Sequence, residues 1–176
     1  MPAGVTLRPI RAEDAEFLYE VYASTRAAEM AMVDWDAAQK EAFLRMQFNA
    51  QHTYYPATFP NARFDVILDG DRPVGRFYVD RRELDILIID IAILPDCQRG
   101  IGAALMRELH PDADQQGVPV LGTVERFNRA MLLFRRLGFV ITADHGMFYS
   151  IERPLRVFEA HGCRTPNPRG RPGTSR

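Results

Sequence analysis

Two glycines give the clearest chemical signal in the chain. Gly100 and Gly102 stand after an apolar, β-branched run that stops at Pro95, and before a helical pattern carrying Leu105, Met106 and Leu109 on one side. Strand, glycine turn and helix in that order make an anion site. The first helical N–H groups have no internal partner, and the helix dipole adds partial positive charge there. Glycine has no Cβ, so an anion can approach the backbone closely. The spacing predicts that this turn holds the pyrophosphate of a cofactor. Cys97 lies in the same turn, where helical N–H groups would lower its thiol pKa.

Acids come next. Asp85 and Asp90 sit in or beside the longest apolar β run, Leu84 to Ile93. Side chains alternate along a strand, so Asp85, Leu87, Ile89, Ile91 and Ile93 share one face. Asp90 takes the other face unless a bulge re-aims it. A buried acid can have a raised pKa and act as a base; it can equally pair with an arginine or cap a loop. Both readings stand for both residues. Tyr78, on the neighbouring strand, is a further candidate, as is an ordered water chain with no single base. The stretch His52–Asn61 is rich in aromatics and prolines and reads as an irregular loop. Its Tyr54, Tyr55 and Phe59 suit the lip of a substrate pocket, and also a cap on the core.

These residues need elements to place them. Val5–Ile10 predicts a first strand. Ala12–Asp14 opens a helix with Phe17, Leu18, Val21 and Tyr22 on its apolar face. A second helix is expected from Asp36 to about Gln51, with Trp35 stapling its entry. Phe64–Leu68 and Val74–Val79 read as strands joined by the Asp69-Gly70-Asp71 hairpin. After the central strand and glycine turn, a helix is expected over Ala103–Gln116, stopping or kinking at Pro111. Val118–Val124, a helix over Asn128–Leu137 capped by Gly138, and a closing hairpin complete the set. The order β-α-α-β-β-β-α-β-α-β-β describes one α/β domain, residues 1–153, with a mixed, mainly antiparallel sheet. Residues 154–176, rich in proline and arginine, are expected to form a disordered tail.

Bulk numbers narrow the partners. The chain has 176 residues, 47% hydrophobic and 26% charged, with net charge −1, so nucleic acid is not expected. No Cys/His cluster has metal spacing, so no metal is expected. No apolar run approaches a membrane span, and the N-terminus carries no leader pattern. The expectation is a cytoplasmic protein, monomer or homodimer.

The proline-ended strand Ile91-Ala92-Ile93-Leu94-Pro95, the turn Cys97-Gln98-Arg99-Gly100-Ile101-Gly102 and the helix opening Ala103-Ala104-Leu105-Met106 together resemble the central motif of the GNAT superfamily of N-acetyltransferases. Asn128 through Leu137-Gly138-Phe139 is similar to that family's second motif. The resemblance implies acetyl transfer from acetyl-CoA to a primary amine of a small molecule or peptide, by direct attack in a ternary complex. It implies cofactor contacts at Ile91, Ala92, Ile93, Gln98, Arg99, Gly100, Ile101, Gly102, Ala103, Asn128 and Phe134, and an oxyanion-binding N–H near Ile93. Asp90 and Asp85 are the base candidates; Tyr54, Tyr55, Phe59 and Tyr78 are the acceptor-side candidates. Two departures stand out. The turn before Gly100 is one residue short, and Phe134 occupies the place of a tyrosine that protonates the leaving thiolate in many members. The alternative is therefore a weak or inactive module that binds coenzyme A or a partner.

Overall fold

The computed structural model describes residues 4–155, so the expected tail lies almost wholly outside the described residues. The elements are β1 (Val5–Pro9), α1 (Ala15–Ala31), α2 (Ala37–Thr58), β2 (Arg63–Asp69), β3 (Arg72–Arg81), β4 (Ile86–Ile93), α3 (Ile101–Gln116), β5 (Val120–Glu125), α4 (Ala130–Arg136), β6 (Val140–Asp144) and β7 (Phe148–Arg153). Their order along the chain is the expected one. The fold is α/β, a seven-stranded open sheet in the order β1-β2-β3-β4-β5-β7-β6. Every pairing is antiparallel except β4 with β5.

The sheet forms because its central strands are apolar and can be buried. Ile67, Val74, Phe77, Val79, Ile86, Ile88 and Val120 are all buried, each contributing about 1.5–3 kcal/mol on transfer from water. Helices α1 and α2 cover one face through Leu18, Tyr19, Tyr22, Leu44 and Phe48, which cluster with Val66. Their polar tips are satisfied between the helices: Tyr19 donates to Glu41 at 2.6 Å and Tyr22 to Gln47 at 2.8 Å. On the other face, Leu105, Met106 and Leu109 of α3 and Met131 and Phe134 of α4 join the main core.

Caps set the helix ends. Asp36 accepts from the Gln39 amide at 2.8 Å, and Gln39 accepts from the Asp36 amide, a capping box that starts α2. Trp35 packs edge-on against Phe43 at 5.2 Å, one turn further along than a staple would reach. Asp14, in a short 3₁₀ turn over Ala12–Asp14, starts α1 and takes both nitrogens of Arg8 at 2.7 Å.

Two helices run through an internal proline. The stretch His52–Asn61 is not a loop down to its last residues, because α2 runs through Pro56 to Thr58. Pro56 is exposed in the last turn, where its missing N–H forfeits a single helical bond. Pro111 does not stop α3, which continues to the expected Gln116 and closes on Gly117 in the left-handed region. In both cases one lost bond is offset by the packing of the helix's apolar face.

Candidate functional site

The site begins with a strand that parts from its neighbour. β4 and β5 pair only at Ile86–Val120, Leu87–Leu121 and Ile88–Gly122. Opposite, β3 pairs Val79 with Ile88 but Tyr78 with Asp90, so Ile89 is an extra residue in β4. That bulge bends the strand, and beyond it β4 and β5 run on without pairing. Leu94 donates to the Val74 carbonyl at 2.9 Å. Antiparallel alternation then aims the amides of Ala92 and Asp90 at β3, and those of Ile91 and Ile93 away from it, towards the gap left by β5.

The glycine turn lies at the end of this strand. A 3₁₀ turn over Pro95–Cys97 leads to Gly100, which caps α3 at φ +81°. This conformation favours glycine at position 100. The Ile101 amide donates to the Gln98 carbonyl at 2.8 Å and the Ala104 amide to Gly100 at 3.1 Å. The amides between them, Gly102 and Ala103, have no partner among the hydrogen bonds of the described residues. Gly102 plays a different part from Gly100. A Cβ there would lie 3.5 Å from Ile93 Cδ1 and 3.9 Å from Ile91 Cδ1 and Leu133 Cδ2, so packing alone does not demand glycine. Its absence widens the space between β4, α3 and α4. Gln98 and Arg99 are exposed beside it.

The acids separate. Asp85 sits in the β3–β4 turn, where Arg82 Nε donates to it at 2.7 Å. That is the opposite end of β4 from the glycine turn, about 26 Å away at ~3.3 Å per residue, so the structure does not bring it to the other candidates. Asp90 is beside the gap. Its side chain is 17% exposed and accepts from Arg76 at 2.6 Å. Burial pushes its carboxyl above the usual range, and the Arg76 cation pulls it back. As the alternation anticipates, Asp90 faces α1 and α2, while Ile91 and Ile93 reach towards Gly102 on the α3 side.

Around Asp90 stands a cluster that the sequence reading missed. Arg76 also donates to Gln51 of α2 at 2.9 Å. Arg26 of α1 bridges Glu125 of β5 at 2.6 Å and Glu29 at 3.0 Å. Tyr55 meets Tyr78 edge-on at 6.1 Å, Tyr54 at 6.2 Å and Phe59 at 6.4 Å, so the three lip aromatics and Tyr78 do come together. Burial raises the Tyr55 hydroxyl above its usual pKa, with the Asp90 charge adding to the effect. Burial likewise pushes Tyr78 up to about 12. Tyr54 is the most open of them, 58% exposed. One signal for Arg76 was available: in Val74–Val79 it alternates in phase with Tyr78, an arginine at an inward position of an apolar strand.

Other assignments change character. Cys97 is buried, and its thiol is pushed up, first by burial and then by its hydrogen bond with Asp96. The expected lowering by helical N–H groups does not occur. Phe134 is buried edge-on to Phe139 at 5.3 Å, a core residue. Asn128 accepts from the Ala130 amide at 2.9 Å and caps α4. Among the described residues no cluster of three or more His, Cys, Asp or Glu side chains is placed to hold a metal, and no helix is long and apolar enough to cross a membrane.

Residues 60–141 match the acetyltransferase (GNAT) domain family. That segment, a little under half of the chain, is similar to a GNAT domain. Solved structures share its fold: the PaiA N-acetyltransferase of Thermoplasma acidophilum in complex with coenzyme A has a TM-score of 0.64 at 16% identity, over 85% of this chain and 98% of that one. An acetyltransferase from Thermus thermophilus has a TM-score of 0.60 at 23% identity, over 86% and 97%. The N-acetyltransferase PseH of Campylobacter jejuni with acetyl coenzyme A has 0.52 at 15%, over 84% and 96%. No curated protein matches the chain by sequence. The matched segment of the GNAT domain runs from just before β2 into β6, so it contains the gap, the glycine turn and α4. Helices α1 and α2, which supply Arg26, Gln51 and Tyr55, precede it.

Proposed function

We propose that this GNAT-like domain transfers an acetyl group from acetyl-CoA to a primary amine of a small molecule or peptide. The observation that carries the reading is the unpaired end of β4 meeting the first turn of α3. The free amides at Gly102 and Ala103 suit a pyrophosphate. The amides of Ile91 and Ile93, aimed into the gap, suit an extended amide-bearing chain and the thioester carbonyl. The solved structures with coenzyme A or acetyl-CoA support that choice of donor.

The chemistry assigns each group a task. An alkyl ammonium with pKa near 10.4 must lose its proton before attack, which costs roughly 4–5 kcal/mol at pH 7. Asp90 is the acid at the gap, so it takes that proton, directly or through one water. The amine nitrogen then bonds to the acetyl carbon, the Ile93 amide stabilises the charge on the oxygen, the nitrogen gives up its second proton to solvent, and the carbon–sulfur bond breaks. The thiol resembles cysteine, with a pKa of about 8.5, so the thiolate departs without a protein acid and takes a proton from solvent. Tyr55, Tyr78 and Phe59 flank the acceptor.

Phe134 favours a second reading, a module that binds coenzyme A without turnover, because it has no hydroxyl to protonate a leaving group. Incubation with acetyl-CoA and a panel of alkylamines, amino acids and peptides separates the two. Thiol release dependent on an amine supports transfer; tight acetyl-CoA binding with no release on any acceptor supports the module.

A further inference from the structure

Arg76 is 4% exposed in the middle of β3. Its guanidinium carbon lies 5.8 Å from the Tyr22 ring and 5.6 Å from the Tyr78 ring. One terminal nitrogen serves both Asp90 at 2.6 Å and Gln51 at 2.9 Å, while its Nε is buried without a partner. A buried guanidinium is costly unless its donors are used. This one leaves a donor idle yet keeps its contact with Asp90, so the arrangement serves the carboxylate rather than the arginine.

We infer that Arg76 is a positioning residue: wedged between Tyr22 and Tyr78 and braced by Gln51, it fixes the Asp90 carboxylate at the mouth of the β4–β5 gap. The inference rests on the reading of Asp90 as the base. Other groups near Asp90 do not substitute for it. Arg26 of α1 is engaged by Glu125 of β5 and by Glu29. Tyr22 of α1 donates to Gln47, and Tyr55 of α2 and Tyr78 of β3 are neutral phenols at working pH. Arg76 is thus the cation in hydrogen-bond contact. It also couples the base to the acceptor side, because Gln51 lies one helical turn before Tyr55 on α2. The sequence separates these parts by an arginine in one strand, an acid in the next and a glutamine in a helix; only the fold joins them.

The test follows the Asp90 carboxyl itself by carbon NMR of protein labelled at the aspartate carboxyl carbon, with D90N assigning the resonance. In R76M the titration midpoint is expected to rise by at least one pH unit, because the cation that favours the charged form is gone. In R76K a smaller rise is expected, since an ammonium keeps the charge but cannot hold Asp90 and Gln51 together in one plane. With a panel amine that turns over, the acid limb of kcat/KM is expected to move with the midpoint. An unchanged midpoint in R76M overturns the inference; if R76M does not fold, an unchanged midpoint in R76K does so. Wild-type turnover in D90N would instead remove the base reading on which the inference rests, a failure the NMR midpoint does not share.

Discussion

At the scale of single residues, the proposed reaction is divided between Asp90 and Gly102. Asp90→Asn keeps the shape and removes the proposed base, so kcat/KM is expected to fall by about 10²-fold or more with coenzyme A affinity retained. Steady-state kinetics beside calorimetric binding checks both. The pH dependence has a definite sign. Burial raises the Asp90 pKa, so the protonated, inactive form persists above the ordinary carboxylate value of about 3.9. The acid limb of the kcat/KM profile is therefore expected above that value; a limb at or below it would place the base elsewhere. Gly102→Ala puts a methyl at ordinary contact distance from Ile93, Ile91 and Leu133. Melting temperature is expected to hold while coenzyme A affinity drops by about tenfold, ~1.4 kcal/mol. Gly100→Ala is a poorer probe, since its φ of +81° strains any side chain whether or not an anion binds.

At the scale of elements, the site depends on β3 and β4 lying unusually close. A Cβ on Gly75 would come within 2.4 Å of the Ala92 carbonyl oxygen. Gly75→Ala is expected to cost about 1–3 kcal/mol by overpacking and to disturb Ala92 and Ile93, lowering both stability and turnover in a denaturant and activity series. The start of α1 gives a different test. Arg8 holds the Asp14 carboxyl below its usual range, so the folded-state pKa is depressed. Its stabilisation is present above about pH 4 and fades as pH falls through the folded value. Asp14→Ala should lower the melting temperature at neutral pH and leave less difference from wild type in acid. Much of this level was legible in the chain: the alternation in β2, β3 and β4, the Asp69-Gly70 hairpin and the Gly138 cap are local signals, and local physics decides them. Pro56 misled because tertiary burial of the helix face outweighs one missing bond. The β4 bulge at Ile89 and the joining of Arg76, Asp90 and Gln51 are products of register and packing, which no local pattern encodes.

At the scale of the whole molecule, the sheet is a frame with one opening, between β4 and β5. Strands β1 to β4 hold one side and β5, β7 and β6 the other, joined by only three residue pairs between β4 and β5. A ligand that bridges the opening should tie the two halves together. Coenzyme A at a hundredfold its Kd adds about 2.7 kcal/mol, expected as a rise of roughly 5–10 °C in melting temperature for a domain of this size. The two sides of the opening also differ in what the family accounts for. The donor side, with the gap and glycine turn, lies within residues 60–141. The proposed acceptor side draws on Arg26, Gln51 and Tyr55 from helices outside that segment, which is where acceptor choice is expected to be decided. The most direct measurement is thiol release from acetyl-CoA in the presence of an amine panel, run on the wild type and on Asp90→Asn in parallel. Amine-dependent release by the wild type, with acetylated product and near-complete loss in the variant, is the predicted result. Release that is equal in both proteins, or absent from a wild type that binds acetyl-CoA, would contradict it.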